Sequence, residues 1–156
     1  MKILSAWRRR PKGSERSQSL VEFALVVPLF LVLVMGIIDF SMGFGSYVQL
    51  RNAAREGARF AVVGNPAGSY PTDCTGSVTN SVIGRVCTDV SDLNLADMQS
   101  VSVQYPNGQE SGNSVVVNAQ YRYQLITPLG GMVSFFTGGE FPSYLSLSAT
   151  SDMRLE

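Results

Sequence analysis

The sequence predicts an α+β protein in which one long N-terminal helix packs on a small antiparallel β-sheet. We expect the helix from about residue 20 to about residue 63, because a long apolar run is followed there by apolar residues at helical spacing. Three later segments alternate apolar and polar residues, as strands do. The strands follow the helix as a group instead of alternating with helices, which is typical of an α+β fold.

Charge is divided unevenly along the 156 residues, although the formal net charge is zero. Residues 1–17 carry six Lys/Arg and one Glu, a net charge of +5, whereas residues 18–156 carry six Arg and eleven Asp/Glu, a net charge of −5. A nucleic-acid-binding protein keeps its positive charge on its folded part. We therefore expect a basic leader over residues 1–17, an acidic part behind it, and no nucleic-acid partner.

The apolar run over residues 23–38 contains no charged residue. Its sixteen residues form roughly 24 Å of helix at about 1.5 Å per residue. Because a bilayer has a hydrocarbon core of ~30 Å, a span must also use Leu20, Val21 and part of residues 40–48. The basic residues before the run predict that the N-terminus lies inside and the C-terminus outside. Pro28 removes one helical hydrogen bond and predicts a kink.

The second half of the helix is expected to be amphipathic and to end at Gly64, Asn65 and Pro66, which are typical helix-terminating residues. An apolar stripe recurs there every three or four residues: Tyr47, Leu50, Ala54, Ala58 and Ala61. A second face carries arginines at residues 51, 55 and 59. We therefore expect residues 18–64 to form one helix that crosses a membrane in its first half and packs on a folded domain in its second.

Residues 65–156 are expected to form that external domain. A loop rich in Gly, Ser, Thr and Pro precedes a short amphipathic helix, which is indicated by four apolar residues: Val78, Val82, Ile83 and Val86. Strands are expected at residues 101–105, 115–125 and 144–150. Residues 127–142 are rich in Gly and apolar residues, and we expect a loop that either caps the sheet or forms a contact surface.

Cys74 and Cys87 both lie in the part expected outside the membrane, which predicts a disulfide between them. Closing a loop of this size contributes ~3 kcal/mol in the chain-entropy model. The alternative is that Cys74 and Cys87 are two buried free thiols. A redox role is not favoured, because it needs two cysteines closer together in the sequence. Because the chain has no His and no further Cys, we expect no metal site built on imidazole or thiolate ligands.

Residues 18–28 read Gln-Ser-Leu-Val-Glu-Phe-Ala-Leu-Val-Val-Pro and closely resemble the start of TadE-like proteins, the pseudopilins of tight-adherence (Tad/Flp) type IV pilus systems. Residues 51–59 resemble the Ala-rich, Arg-bearing second half of that family's helix. The resemblance covers about residues 14–64, under half of the chain. It implies a pilin-like fold and a structural role that requires no cofactor.

In that family, a membrane prepilin peptidase cuts the precursor on the cytoplasmic side, usually after Gly. Carried over to this chain, which has Ser at that point, the cut falls between Ser17 and Gln18. Glu22 would then be the fifth residue of the mature chain and Phe23 the sixth, both of them assembly residues. The partners implied are the prepilin peptidase, other pilin or pseudopilin subunits, the inner-membrane assembly platform and membrane lipid.

Glu22 stands at the cytoplasmic mouth of the apolar helix, where a carboxylate is costly. After cleavage, Gln18 would carry a free ammonium on the same helix face, four residues earlier. In a filament this ammonium can pair with a neighbour's Glu22 in only one axial stagger, so the pair would set the register between subunits. In the alternative interpretation, Glu22 lies at the level of the lipid headgroups, where a carboxylate is tolerated.

Other polar and aromatic residues allow two interpretations each. Asp39 either marks the outer membrane interface or pairs with an Arg of an adjacent helix in an assembly. The acidic residues at 89–97 suggest Ca²⁺ ligation, but their spacing does not match an EF-hand, which favours a solvated acidic turn. Four tyrosines form either an aromatic binding face or parts of the core and of subunit interfaces: Tyr105, Tyr121, Tyr123 and Tyr144.

Together these patterns predict a structural pseudopilin or minor pilin of a Tad-type pilus. It would be anchored in the bacterial cytoplasmic membrane by a single span before assembly, with its N-terminus inside and its external domain outside. The alternative is a permanently anchored envelope protein whose external domain binds a partner or carbohydrate. We do not expect an enzyme, because no His is present to activate a Ser nucleophile and no Gly-x-Ser-x-Gly motif occurs.

Overall fold

The computed structural model describes residues 13–68, 74–75, 80–139 and 142–156, with side chains from Gln18 onward except that of Phe136. The basic leader expected at residues 1–17 therefore lies outside the described residues, apart from helical backbone over residues 13–17. Val78 of the expected short helix also lies outside them.

Helix α1, Gly13–Val62, is fifty residues long and continues unbroken through Pro28, so the expected kink there stays a prediction. It starts earlier than expected because residues 13–19 contain no proline and no β-branched residue that would oppose a helix. Its predicted end is confirmed. Gly64 has a φ of +80°, and its backbone amide donates to the carbonyl of Ala61 at 3.0 Å. The side-chain amide of Asn65 donates to the carbonyl of Phe60 at 2.9 Å.

The predicted three-stranded antiparallel sheet is confirmed, with strand order β1-β2-β3. The strands are β1 (Met98–Gln104), β2 (Ser114–Gln124) and β3 (Tyr144–Arg154). The turn predicted after β1 is present: the amide of Gly108 donates to the carbonyl of Tyr105 at 3.2 Å, and Gly108 has a φ of +92°. β3 continues beyond residue 150 because it pairs with the whole length of β2.

One face of the sheet covers the second half of α1 and the short helix α2 (Val82–Asp89), which makes the fold α+β and pilin-like. Ser81 caps α2 by accepting a hydrogen bond from the amide of Gly84 at 3.1 Å. The core combines the small residues of the α1 stripe with branched residues of α2 and the sheet: Leu50, Ala54, Ala58, Val82, Val86, Val101, Val115 and Val117. The stripe predicted from spacing is therefore the packed face.

The loop expected at residues 127–142 is wrong for most of its length, because Leu129–Thr137 form a third helix, α3. Pro128 precedes its first turn, and Gly138 ends it in the left-handed conformation with a φ of +67°. Gly130 and Gly131 suggested a loop, yet the apolar residues around them recur at helical spacing. Their packing beside α1 outweighs the low helix propensity of glycine.

Candidate functional site

The first half of α1, residues 18–38, is apolar on nearly every side and is exposed over most of its surface, with α3 beside part of it. Its large side chains are exposed along the whole length: Leu20, Val21, Phe23, Leu25, Val26, Leu29, Phe30, Leu31, Leu33, Ile37 and Ile38. Soluble monomers rarely expose apolar patches larger than a few hundred Å². By length and composition α1 can cross a membrane, since its most apolar stretch is wholly unburied.

Gln18 and Glu22 lie on the same face of this exposed helix, as their spacing predicts. The Gln18 side-chain amide donates to Oε1 of Glu22 at 3.2 Å, a contact that the sequence analysis did not include. Phe23 is 69 % exposed beside them, and the Ser17 side chain lies outside the described residues. The Glu22 carboxylate therefore faces outward, where a group from a neighbouring molecule can reach it.

Asp39, at the end of the apolar half, has partners that neither sequence interpretation included. It is 2 % exposed, and one oxygen accepts hydrogen bonds from the backbone amides of Ile126 at 2.9 Å and Thr127 at 3.2 Å. The Thr127 hydroxyl donates to its other oxygen. Because this carboxylate is satisfied within its own chain, it is not available to an Arg of an adjacent helix. It joins α1 to the segment that leads from β2 into α3.

A close approach of helix and sheet lies near this junction. A Cβ at Gly43 would stand 3.3 Å from Cε1 of Tyr123, so glycine lets the end of β2 rest on α1. Tyr123 is buried, and among the described residues its hydroxyl has no hydrogen-bond partner. Tyr121 is also buried, which raises the pKa of its phenol, whereas Tyr144 is exposed with the Arg122 guanidinium 4.8 Å above its ring.

These tyrosines therefore do not form one aromatic face. Tyr121 and Tyr123 belong to the core, as the second interpretation held, and Tyr105 is half-buried at its edge. Tyr144 lies on the opposite side of the sheet, because it is paired with the outward-facing Gln124.

The predicted disulfide between Cys74 and Cys87 is confirmed, with Cα atoms 5.4 Å apart. The disulfide joins the segment before α2 to that helix. Arg85 of α2 also forms a surface ion pair with Glu56 of α1, with a nitrogen–oxygen distance of 3.3 Å. Burial raises the pKa of Asp89 above its usual range, an effect that the neighbouring Arg85 opposes. An exposed ion pair contributes little to stability, so the disulfide and the apolar contacts hold α2 in place.

In the acidic segment at residues 89–97, carboxylate oxygens accept hydrogen bonds from other residues of the protein. The two oxygens of Asp97 accept hydrogen bonds from Asn94 at 2.6 Å and from Gln124 at 2.8 Å. Within the described ranges, no three His, Cys, Asp or Glu residues lie close enough together to hold a metal ion.

Comparison with known proteins locates the family resemblance on α1. The family model of TadE-like proteins matches residues 18–59. Neither a curated protein nor a solved structure matches the chain. The match begins at Gln18, includes Glu22, Phe23 and Pro28, and extends over the exposed first half and the packed second half of the helix. Over residues 18–59, which make up most of α1, the chain is thus similar to the TadE-like protein family.

Proposed function

We propose that this chain is a minor pilin of a Tad-type pilus, with a structural and non-enzymatic role. One observation carries the proposal: the TadE-like match starts at Gln18, and from there an apolar helix extends, largely exposed, as far as Asp39. Such a surface requires an apolar neighbour. Before assembly the neighbour is membrane lipid, and after assembly it is the helices of other subunits.

The direction of insertion follows from charge. The basic residues lie before Gln18, and no Lys or Arg occurs between Gln18 and Arg51. Basic residues stay on the cytoplasmic side of a span, so the N-terminus lies inside and the sheet domain outside. A disulfide in the sheet domain agrees with an oxidising compartment on that side.

Processing would expose the group that pairs with Glu22. A prepilin peptidase that cuts between Ser17 and Gln18 creates an ammonium at Gln18, and the Glu22 carboxylate is already turned outward on that face. In a filament the ammonium of one subunit meets the carboxylate of the next. The inner-membrane assembly platform would extract each subunit from the membrane into that arrangement.

The mass and first residue of the protein from the native cell envelope test the processing step. We expect a chain that begins at Gln18 with its α-amine free. A chain that still begins at Met1 would contradict processing and would favour the alternative, a permanently anchored envelope protein whose external domain binds a partner or carbohydrate. Ser17 is the observation that keeps this alternative open, because the family usually has Gly before the cut.

A pair of matched variants tests the role of Glu22 separately. Glu22→Gln keeps the size of the side chain but removes its charge, and we expect the processed protein to stay in the membrane fraction and be lost from sheared filaments. Glu110→Gln makes the same change at an exposed residue of the sheet domain and is expected to assemble normally. Equal amounts of both variants in filaments would contradict the pairing.

A further inference from the structure

Helix α3 lies beside the part of α1 that we propose to be in the membrane. The hydrogen bonds to Asp39 hold Ile126 and Thr127 at the outer end of the apolar half. From there the chain turns back along α1. Four residues of this segment border a groove with Pro28 and Leu31: Pro128, Gly131, Met132 and Phe135.

A second groove continues the first toward the N-terminus of α1. It is bordered by Val133 and Thr137 of α3 and by five residues of α1: Ala24, Leu25, Pro28, Leu29 and Val32. Because α3 has nine residues, its axis is about 13 Å long, close to half of a ~30 Å hydrocarbon core. The helix thus has the length of about one leaflet.

The composition of this segment suits hydrocarbon. Residues 123–139 contain no charged residue, and Phe135 is 83 % exposed. The hydroxyls of Ser134 and Thr137 donate to carbonyls one turn earlier in α3, at 2.7 and 2.9 Å. Since a polar group in a bilayer must be satisfied within the protein, these internal bonds make the helix compatible with lipid.

The end of the sheet next to α3 has the composition of a membrane interface. Ile126 is 64 % exposed, and Tyr144 and Leu145 at the start of β3 are each 44 % exposed. Arg122 stacks on Tyr144 at the same end. Tyrosines and basic residues with an apolar stem favour the headgroup level, where one end of the side chain is apolar and the other is wet.

We propose that α3 inserts into the hydrocarbon core of the membrane alongside α1 and seats the sheet domain on the lipid surface before assembly. This inference rests on the proposed membrane anchoring of α1. Lipid is the occupant that the structure favours, because the exposed surface of α3 is continuous with the half of α1 that lipid would surround. Tyr144 and Arg122 would then lie among the headgroups.

Glu140 is the first charge after α3 and lies outside the described residues. The carbonyl of Ser143 accepts a hydrogen bond from the amide of Leu125 at 3.0 Å, so the chain is back at the end of the sheet by that point.

Fluorescence quenching in lipid vesicles tests the insertion with the full chain. In a Trp7→Phe background, single tryptophans are introduced by Phe135→Trp in α3, Leu29→Trp in α1 and Thr150→Trp on the outer face of the sheet. Each variant is reconstituted in vesicles with brominated acyl chains and also titrated with aqueous iodide. We expect the first two to lose most of their emission to the brominated lipid, and the third to respond only to iodide.

The three positions separate the two proposals. If the Phe135→Trp variant responds to iodide and not to brominated lipid while Leu29→Trp is quenched by the lipid, α1 spans the membrane but α3 does not insert. If neither responds to the lipid, both the span and the insertion are contradicted. If Phe135→Trp responds to neither quencher, another protein surface covers α3, which also overturns the lipid proposal. Ile126→Trp provides a second probe and is expected to be quenched most by bromine near the headgroups.

Discussion

The two halves of α1 lie in one continuous helix but have opposite surroundings. Leu29 in the first half is 72 % exposed, whereas Leu50 in the second half is fully buried. The first half carries large apolar residues on all sides, and the second carries one stripe in which Ala and Gly predominate. Small residues let the sheet and α2 approach the helix axis, and the large residues of the first half leave an apolar surface exposed.

This difference shows that apolar content alone does not decide burial within this helix. An apolar residue of the second half is buried because the chain supplies a matching surface: Val82 and Val86 of α2, and Val117 of the sheet. For the first half, apart from α3, the described residues supply no such surface. Substitutions in the two halves should therefore affect different properties of the protein.

The largest contrast is expected between Leu50→Ala and Leu29→Ala. The first creates a cavity in the core and should lower the free energy of unfolding of the sheet domain by about 2–5 kcal/mol. The second removes an exposed side chain and should change it by less than about 0.5 kcal/mol. Urea unfolding of the full chain in mild detergent, followed by near-ultraviolet circular dichroism, measures both. Similar losses for the two variants would contradict the division of the helix.

Asp39 lies where the two halves of α1 meet, and we expect its removal to have the next largest effect on the stability of the adjacent segment. Asp39→Ala leaves two backbone amides and one hydroxyl without their acceptor, and a hydrogen bond to a charged group contributes about 1.5–3 kcal/mol. We expect hydrogen exchange at Ile126 and Thr127 to accelerate strongly. Asp92→Ala, at an exposed carboxylate, is the control and should leave both amides unchanged. Unchanged exchange in Asp39→Ala would show that packing alone holds this segment.

Two glycines of α1 should respond to the same substitution with opposite signs. A Cβ at Gly57 would collide with Cγ2 of Val86, so Gly57→Ala should destabilise the domain by about 1–3 kcal/mol through overpacking. A Cβ at Gly45 meets no atom within 4 Å, so Gly45→Ala should stabilise the helix by about 0.5–1 kcal/mol. Thermal unfolding of the two variants checks the signs. Two stabilised variants would mean that Val86 moves aside at no cost.

The division of α1 was accessible from the sequence because it depends on local patterns. The stripe through Leu50 and Ala58, the helix end at Gly64 and the three alternating strands all have periods of a few residues. The disulfide followed from there being only two cysteines, and the position of Glu22 followed from its spacing to Gln18. These features require no knowledge of which distant segments meet.

The contact between Asp39 and the segment before α3 could not be predicted from local sequence patterns. The partners of Asp39 stand 87 and 88 residues later, at Ile126 and Thr127, and no spacing in the sequence links them. Gly130 and Gly131 led to the prediction of a loop where the structure has α3, which forms a helix because it packs beside α1. Both misses depend on how the chain folds back between β2 and β3, a tertiary effect that overrides local propensity.

The smallest expected effect is at Tyr123, where the end of the sheet meets Gly43. Its buried hydroxyl has no partner among the described residues, so Tyr123→Phe removes an unsatisfied group and should leave the free energy of unfolding unchanged or raise it by about 1 kcal/mol. Tyr121→Phe is the matched control, because the Asn94 backbone lies beside the Tyr121 hydroxyl as a polar partner, and loss of that hydroxyl should cost about 1 kcal/mol. Urea midpoints of the two variants should therefore move apart. If Tyr123→Phe loses as much stability as Tyr121→Phe, the Tyr123 hydroxyl has a partner in the folded protein, and the junction of the two halves is more polar than its described neighbours indicate.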